Sequence, residues 1–134
     1  MAETDYLARN RAFWDSRAHA YLEAGERNWS QEPSWGIWSV PEAKLGLLPI
    51  DMSGLDAIEL GCGTAYVSAW LARRGARPVG IDISPEQLAA ARRLQAAHGL
   101  AFPLHLGNAD YVIGSKTSRK LLPLFGQVAD ARCV

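Results

Sequence analysis

The chain has 134 residues, which fits one small domain, with 49% hydrophobic and 21% charged side chains, an ordinary soluble balance. Its 14 basic and 14 acidic residues cancel, which removes the electrostatic case for nucleic acid or an anionic membrane as a partner. Cys62 and Cys133 are too few for a disulfide framework or a Cys-type zinc site, no apolar run is long enough to span a bilayer, and "MAETDYLARNRAFW" is polar where a secretory leader is basic and then apolar, so a cytoplasmic protein without a metal is expected.

Taken in chain order, Leu7, Phe13, Trp14, Ala18, Tyr21 and Leu22 fall roughly on one helical face, with Arg9, Arg11 and Arg17 mostly elsewhere. They predict a helix over residues 1–24. Residues 25–36 read as a polar connector carrying Trp29 and Trp35, because Pro33 and Gly36 oppose a long helix. In "VPEAKLGLLP", Pro41 suits a first helical turn and Pro49 a stop, so one short helix is expected before a turn at residues 51–54. The pattern then changes. Residues 56–60 form a short apolar strand, and residues 64–74 a helix with Val67, Trp70 and Leu71 at helical spacing and "RRG" as its stop. Residues 77–83, "RPVGIDI", make a second strand. Ser84 opens a second helix: its hydroxyl can cap, Pro85 occupies the first helical position, and Gln87 is placed to complete a capping box. Gly99 ends that helix, and residues 100–106 make a third strand in which Pro103 suits an edge. Strand and helix in alternation predict a parallel, three-layer α/β unit with right-handed crossovers. After Asp110 no second set of strands and helices is legible, and two of the chain's three lysines fall there, in a chain that otherwise prefers arginine.

The informative stretch is "DAIELGCGTA", a strand running into an acid and a glycine-rich turn. In a parallel sheet, ligands bind beyond the carboxyl ends of the strands, where Gly61–Ala65 would lie. Gly61 and Gly63 permit backbone angles closed to other residues and let a ligand approach the main chain, whose amides favour an accepting group. The dinucleotide fingerprint G-x-G-x-x-G needs a small residue where Tyr66 stands, which weighs against a nicotinamide-dependent oxidoreductase. The pattern acidic-x-G-x-G-x-G is met by Glu59, Gly61 and Gly63, with Ala65 in place of the last glycine. Asp82, ending the second strand, is placed to accept from two ribose hydroxyls or, more blandly, to cap the next helix. Glu59 has a bland alternative too, tying down a helix N-terminus. Cys62 reads as a small packing residue, and Trp70 as core. Trp29, Trp35 and Trp38 either line a pocket or pack the N-terminal segment onto the sheet. His19, His98 and His105 are scattered, and "SKTSRK" reads as solvated surface.

"IELGCGTA", then "VGIDIS", then "GNAD" resemble the cofactor half of class I S-adenosylmethionine-dependent methyltransferases, over about residues 54–110. "WDSRAHAY" is similar to a helix that closes over the cofactor in small-molecule members, aromatic-Asp-x-x-Ala-x-x-Tyr. The resemblance implies a Rossmann-like sheet of the methyltransferase type beneath an N-terminal helical lid, residues 1–53. It implies S-adenosyl-L-methionine as cofactor and in-line methyl transfer to a small molecule. In it, Glu59 helps hold the methionine ammonium. Gly61, Cys62 and Gly63 offer backbone contacts to the aminoacyl part. Asp82 binds the ribose hydroxyls, Ile83 packs on the adenine, Asn108 and the Ala109 amide read the adenine edge, and Tyr21 lies near the cofactor. Asn108 stands where many relatives carry aspartate, so a weaker adenine contact is expected. No catalytic base is identified. Members have a seven-stranded sheet, of which this chain offers three strands. Residues 111–134 are therefore expected to be an irregular, truncated or frame-shifted tail. An incomplete domain carries a second expectation, a non-catalytic fragment that binds the cofactor or self-associates through an exposed sheet edge.

Overall fold

In a computed structural model, residues 5–109 are described, so the readings made for residues 110–134 lie outside the described part. Helix α1 spans Asp5–Ser30. A two-residue hairpin follows, β1 (Ser34–Trp35) antiparallel to β2 (Val40–Pro41), and then the single-turn helix α2 (Glu42–Leu45). The α/β unit consists of β3 (Asp56–Leu60), α3 (Tyr66–Arg73), β4 (Arg77–Asp82), α4 (Pro85–His98) and β5 (Leu104–Leu106). Its strands run parallel in the order β3-β4-β5, with Ile58 beside Val79 and Ile81 beside His105. Both crossovers step in the same direction, which sets α3 and α4 on one face of the sheet.

Several elements differ from their sequence reading, each for a physical reason. Helix α1 runs on to Ser30, through the stretch read as a connector. Tertiary contacts hold that last turn. Trp29 is fully buried, its Nε1 donates to the Thr64 carbonyl at 2.8 Å, and its own carbonyl accepts from Arg73 at 2.7 Å. The Asn28 carbonyl accepts from Trp70 Nε1 at 2.9 Å, so two side chains of α3 satisfy the open C-terminal carbonyls of α1. The β1–β2 hairpin was not legible in the sequence at all. It is stabilised by Glu42, a buried carboxylate that accepts from Trp35 Nε1 at 2.5 Å and from the Leu48 amide at 2.6 Å. Pro41 precedes α2 instead of entering it, and Gly46 at φ 60°, not Pro49, closes that helix. The turn at residues 51–54 is an Asx turn, with the Ser53 amide donating to Asp51 Oδ1 at 2.9 Å.

Helix α3 starts two residues later than expected, because Ala65 adopts φ 60° and cannot be helical. The Ser84 hydroxyl does cap α4, accepting from the Gln87 amide at 3.1 Å. The reciprocal half of a capping box is replaced, since Gln87 Nε2 donates to the Trp14 carbonyl at 3.3 Å. Strand β5 is only three residues long, with Pro103 just outside it, although the Pro103 carbonyl still accepts from the Gly80 amide at 3.0 Å.

The core lies between the sheet and its helices. Ala57, Val67, Trp70 and Leu71 pack with Trp35, Leu48 and Met52 at one end, and Cys62, Ala65, Leu88 and Ala91 at the other. Trp29, Ala69 and Leu94 join α1 to both helices. On the opposite sheet face Ile58 and Ile81 cluster with Leu60 and Val79.

Candidate functional site

The three strands deliver their carboxyl ends to one cavity of about 430 Å³. After β3 come Gly61, Cys62, Gly63 and Thr64; at the end of β4, Asp82 and then Ile83; after β5, Gly107, Asn108 and Ala109. Of the residues singled out in the sequence, Tyr21, Gly61, Cys62, Gly63, Asp82, Ile83, Asn108 and Ala109 line this one space. Gly61 and Gly63 have φ of 61° and 54°, so both use the left-handed region. A Cβ on Gly63 would stand in the cavity, with only Gln87 Oε1 close by, at 3.6 Å.

Asp82 binds the glycine turn to the next helix. Its Oδ2 accepts from the Gly63 amide at 2.8 Å and its Oδ1 from the Ser84 amide at 2.9 Å. An ionised carboxylate offers about four lone-pair positions, so about two remain for a ligand that brings two hydroxyl protons. The carboxylate is nearly buried, at 7% exposure, yet opens onto the cavity.

Three residues of this segment have partners within the fold. The Cys62 amide donates to the Ile81 carbonyl at 2.9 Å, continuing the β3–β4 ladder, and the Gly63 amide is engaged by Asp82. These two amides are therefore engaged within the fold. Glu59 is fully buried, is absent from the cavity lining, and accepts at Oε2 from the Ser68 amide at 2.8 Å and hydroxyl at 2.6 Å. Strand alternation explains this: Glu59 shares a face with Ala57, which packs under α3. In this geometry Glu59 anchors the first turns of α3.

The remaining wall comes from α1, with Tyr6, Leu7, Asn10, Trp14 and Tyr21, and from Tyr66 at the start of α3. Trp14 and Tyr21 meet edge to face at 5.9 Å. Asp15 accepts from the Ser84 hydroxyl, and Arg11 Nε donates to the Ile83 carbonyl at 3.2 Å. The helix is thus fastened to the β4–α4 turn on one side and to Thr64 on the other. Trp29 and Trp35, read from the sequence as either pocket lining or packing, belong to the core; Trp38 is 82% exposed at the hairpin tip. Trp14 supplies the indole of the cavity instead, and Tyr6, Tyr21 and Tyr66 its phenols. For Trp14 the available signal was its heptad spacing with Leu7 and Tyr21. Among the described residues no His, Cys, Asp and Glu group is arranged to hold a metal ion, and no helix is long and apolar enough to cross a membrane.

Residues 57–121 match the family model described as a methyltransferase domain. Over 72 residues the chain is 39% identical to the magnesium-protoporphyrin O-methyltransferase of Rhodobacter capsulatus, covering 52% of this chain and 32% of that protein. Over 51 residues it is 37% identical to the ribosomal RNA small subunit methyltransferase C of Chromohalobacter salexigens, covering 38% of this chain and 15% of that protein. A solved S-adenosylmethionine-dependent methyltransferase from Clostridium acetobutylicum superposes with a TM-score of 0.39 and 20% identity, over 68% of this chain and 42% of that one. The chain spans at most 32% of the length of these two curated relatives.

Proposed function

We propose that the chain belongs, through residues 57–121, to the class I S-adenosylmethionine-dependent methyltransferases, and that its cavity holds this cofactor and serves methyl transfer to a small-molecule acceptor. The observation that carries the reading is the convergence of three strand ends on one space that an acid, a glycine turn and an uncharged, largely aromatic face of α1 enclose. Bound there, S-adenosylmethionine supplies a methyl carbon on a sulfonium sulfur, open to in-line displacement by an acceptor lone pair.

The chain's own residues fit this task. Asp82 has lone pairs left for two vicinal hydroxyls, and Ile83 presents an apolar side chain beside it for a base. Asn108 and Ala109 close the same end. Gly63 leaves room for a backbone-hugging tail where any side chain would intrude. Leu7, Trp14 and Tyr66 exclude water, and exclusion with alignment is most of what such a displacement requires. No general base is assigned. Tyr66, at the helix start where a pyrophosphate would need a small residue, weighs against a nicotinamide dinucleotide. Zero formal charge favours a small acceptor over a polyanion.

Isothermal titration with S-adenosylmethionine and S-adenosylhomocysteine tests the reading. Binding is expected, and Asp82→Ala should weaken it by at least about tenfold, or about 1.4 kcal/mol. A folded sample that gives no heat with either ligand, or that binds NAD more tightly, overturns it.

A further inference from the structure

We propose that the acceptor is a neutral, flat aromatic molecule seated at the cavity mouth against the uncharged stripe of α1. The inference rests on the cofactor reading above and adds a substrate class to it.

The cavity has two chemically unlike walls. The strand-end wall is polar, built of the glycine turn, Asp82 and Asn108. The facing wall is Tyr6, Leu7, Asn10, Trp14 and Tyr21 of α1, with Tyr66. Leu7, Trp14 and Tyr21 recur at heptad spacing, with Asn10 and Tyr6 beside them, so they share one face of the helix. Among the described residues, the charges on the neighbouring turns are engaged with other groups. Arg9 pairs with Asp5 at 3.4 Å, Arg11 reaches the Ile83 carbonyl, Asp15 the Ser84 hydroxyl, and Arg17 lies over the Phe13 ring at 4.9 Å.

Asp82 is therefore the one formally charged side chain among the described lining residues, and both its oxygens already accept from amides. A phosphorylated or carboxylated acceptor would be drawn by the sulfonium, but it would enter beside that anion with no lining Lys, Arg or His among the described residues to donate hydrogen bonds in place of its lost hydration. A cationic acceptor would meet the positive sulfonium of the cofactor itself. Neutral acceptors remain. Tyr6 and Tyr21 are 54% and 44% exposed while lining the cavity, so their rings form a lip that a flat ring covers more completely than an aliphatic chain. The Tyr21 hydroxyl and the Asn10 amide offer hydrogen bonds to a polar edge, as on a phenol.

The test uses the full chain saturated with S-adenosylhomocysteine and three probes, 2-naphthol, 2-naphthyl phosphate and cyclohexanol, titrated calorimetrically. We expect 2-naphthol to bind at least about tenfold more tightly than either of the others. Tyr6→Ala should weaken 2-naphthol by at least about fivefold and leave S-adenosylhomocysteine within about twofold, while Tyr6→Phe, which keeps the ring, should retain most of the 2-naphthol affinity. A chain that binds S-adenosylhomocysteine but prefers the phosphate or cyclohexanol, or ignores Tyr6→Ala, overturns this proposal alone. A chain that gives no heat with S-adenosylhomocysteine overturns the cofactor reading and this proposal together.

Discussion

Adding one methyl group at Gly25 should destabilise the protein, against the usual preference of helices for alanine. In an exposed helix Gly→Ala gains up to about 1 kcal/mol. Here Gly25 is buried against the glycine turn, and a Cβ would stand 2.9 Å from Thr64 Cγ2 and 3.0 Å from both its Cβ and its Oγ1. Rotating the threonine side chain cannot relieve the Cβ contact. Nor can the Thr64 backbone retreat freely, since its carbonyl is held by Trp29 Nε1 at 2.8 Å. Overpacking of this kind costs about 1–3 kcal/mol, and with three atoms this close the upper half of that range applies. Subtracting the helix gain leaves a net loss of about 1–2 kcal/mol. Urea unfolding should show a lower midpoint at unchanged slope. Gly25→Ala combined with Thr64→Gly should recover much of the clash cost, whereas Thr64→Ala, which keeps the Cβ, should recover less. If Gly25→Ala raises the midpoint as it would on an exposed helix, α1 does not rest on the glycine turn and the closed cavity is wrong.

The same geometry makes four other substitutions informative. Trp29→Phe keeps a ring but leaves the Thr64 carbonyl without its indole donor; a loss of about 1–3 kcal/mol is expected in urea unfolding, and an unchanged midpoint would mean that this bond does not form. Gly80→Ala places a Cβ 2.9 Å from Leu104 Cδ2 and 3.0 Å from Cys62 Sγ, so it should cost about 1–3 kcal/mol, partly recovered by adding Cys62→Ala; full recovery would show that Leu104 is not in contact. Ser84→Ala removes the α4 cap and the partner of Asp15, for about 0.5–2 kcal/mol, and thermal unfolding indistinguishable from the parent protein would refute the cap. Hydrogen bonds from Ser53 hold the Asp51 carboxyl below the usual carboxylate range. A depressed folded-state value stabilises above the unfolded value of about 3.9 and is lost as the pH falls through the folded one. Acid unfolding of Asp51→Asn should therefore lose this part of the pH dependence, and an identical profile would dispose of the idea.

The alternation of strand, turn and helix from Asp56 to Leu106 is local information. Apolar runs of strand length, a capping serine before a proline, and Gly99 at φ 63° each act within a few residues, so their elements were legible without neighbours. The cavity residues were legible for the same reason: parallel strands bring their carboxyl ends to one edge, so the loops that leave those ends must meet there. Tertiary structure decided the rest. Whether α1 stopped at Gly25 or continued depended on Trp70 and Arg73, more than forty residues away, capping its carbonyls. The hairpin exists because Glu42 ties Trp35 to Leu48, a pairing that no periodicity encodes. For Glu59 the sequence left open a ligand role or the tying down of a helix N-terminus; packing sets its Oε2 on Ser68 in α3 and the Cys62 amide on Ile81. Short-range preferences are written in the sequence; which buried polar group partners which is settled only when distant segments compete for it in three dimensions.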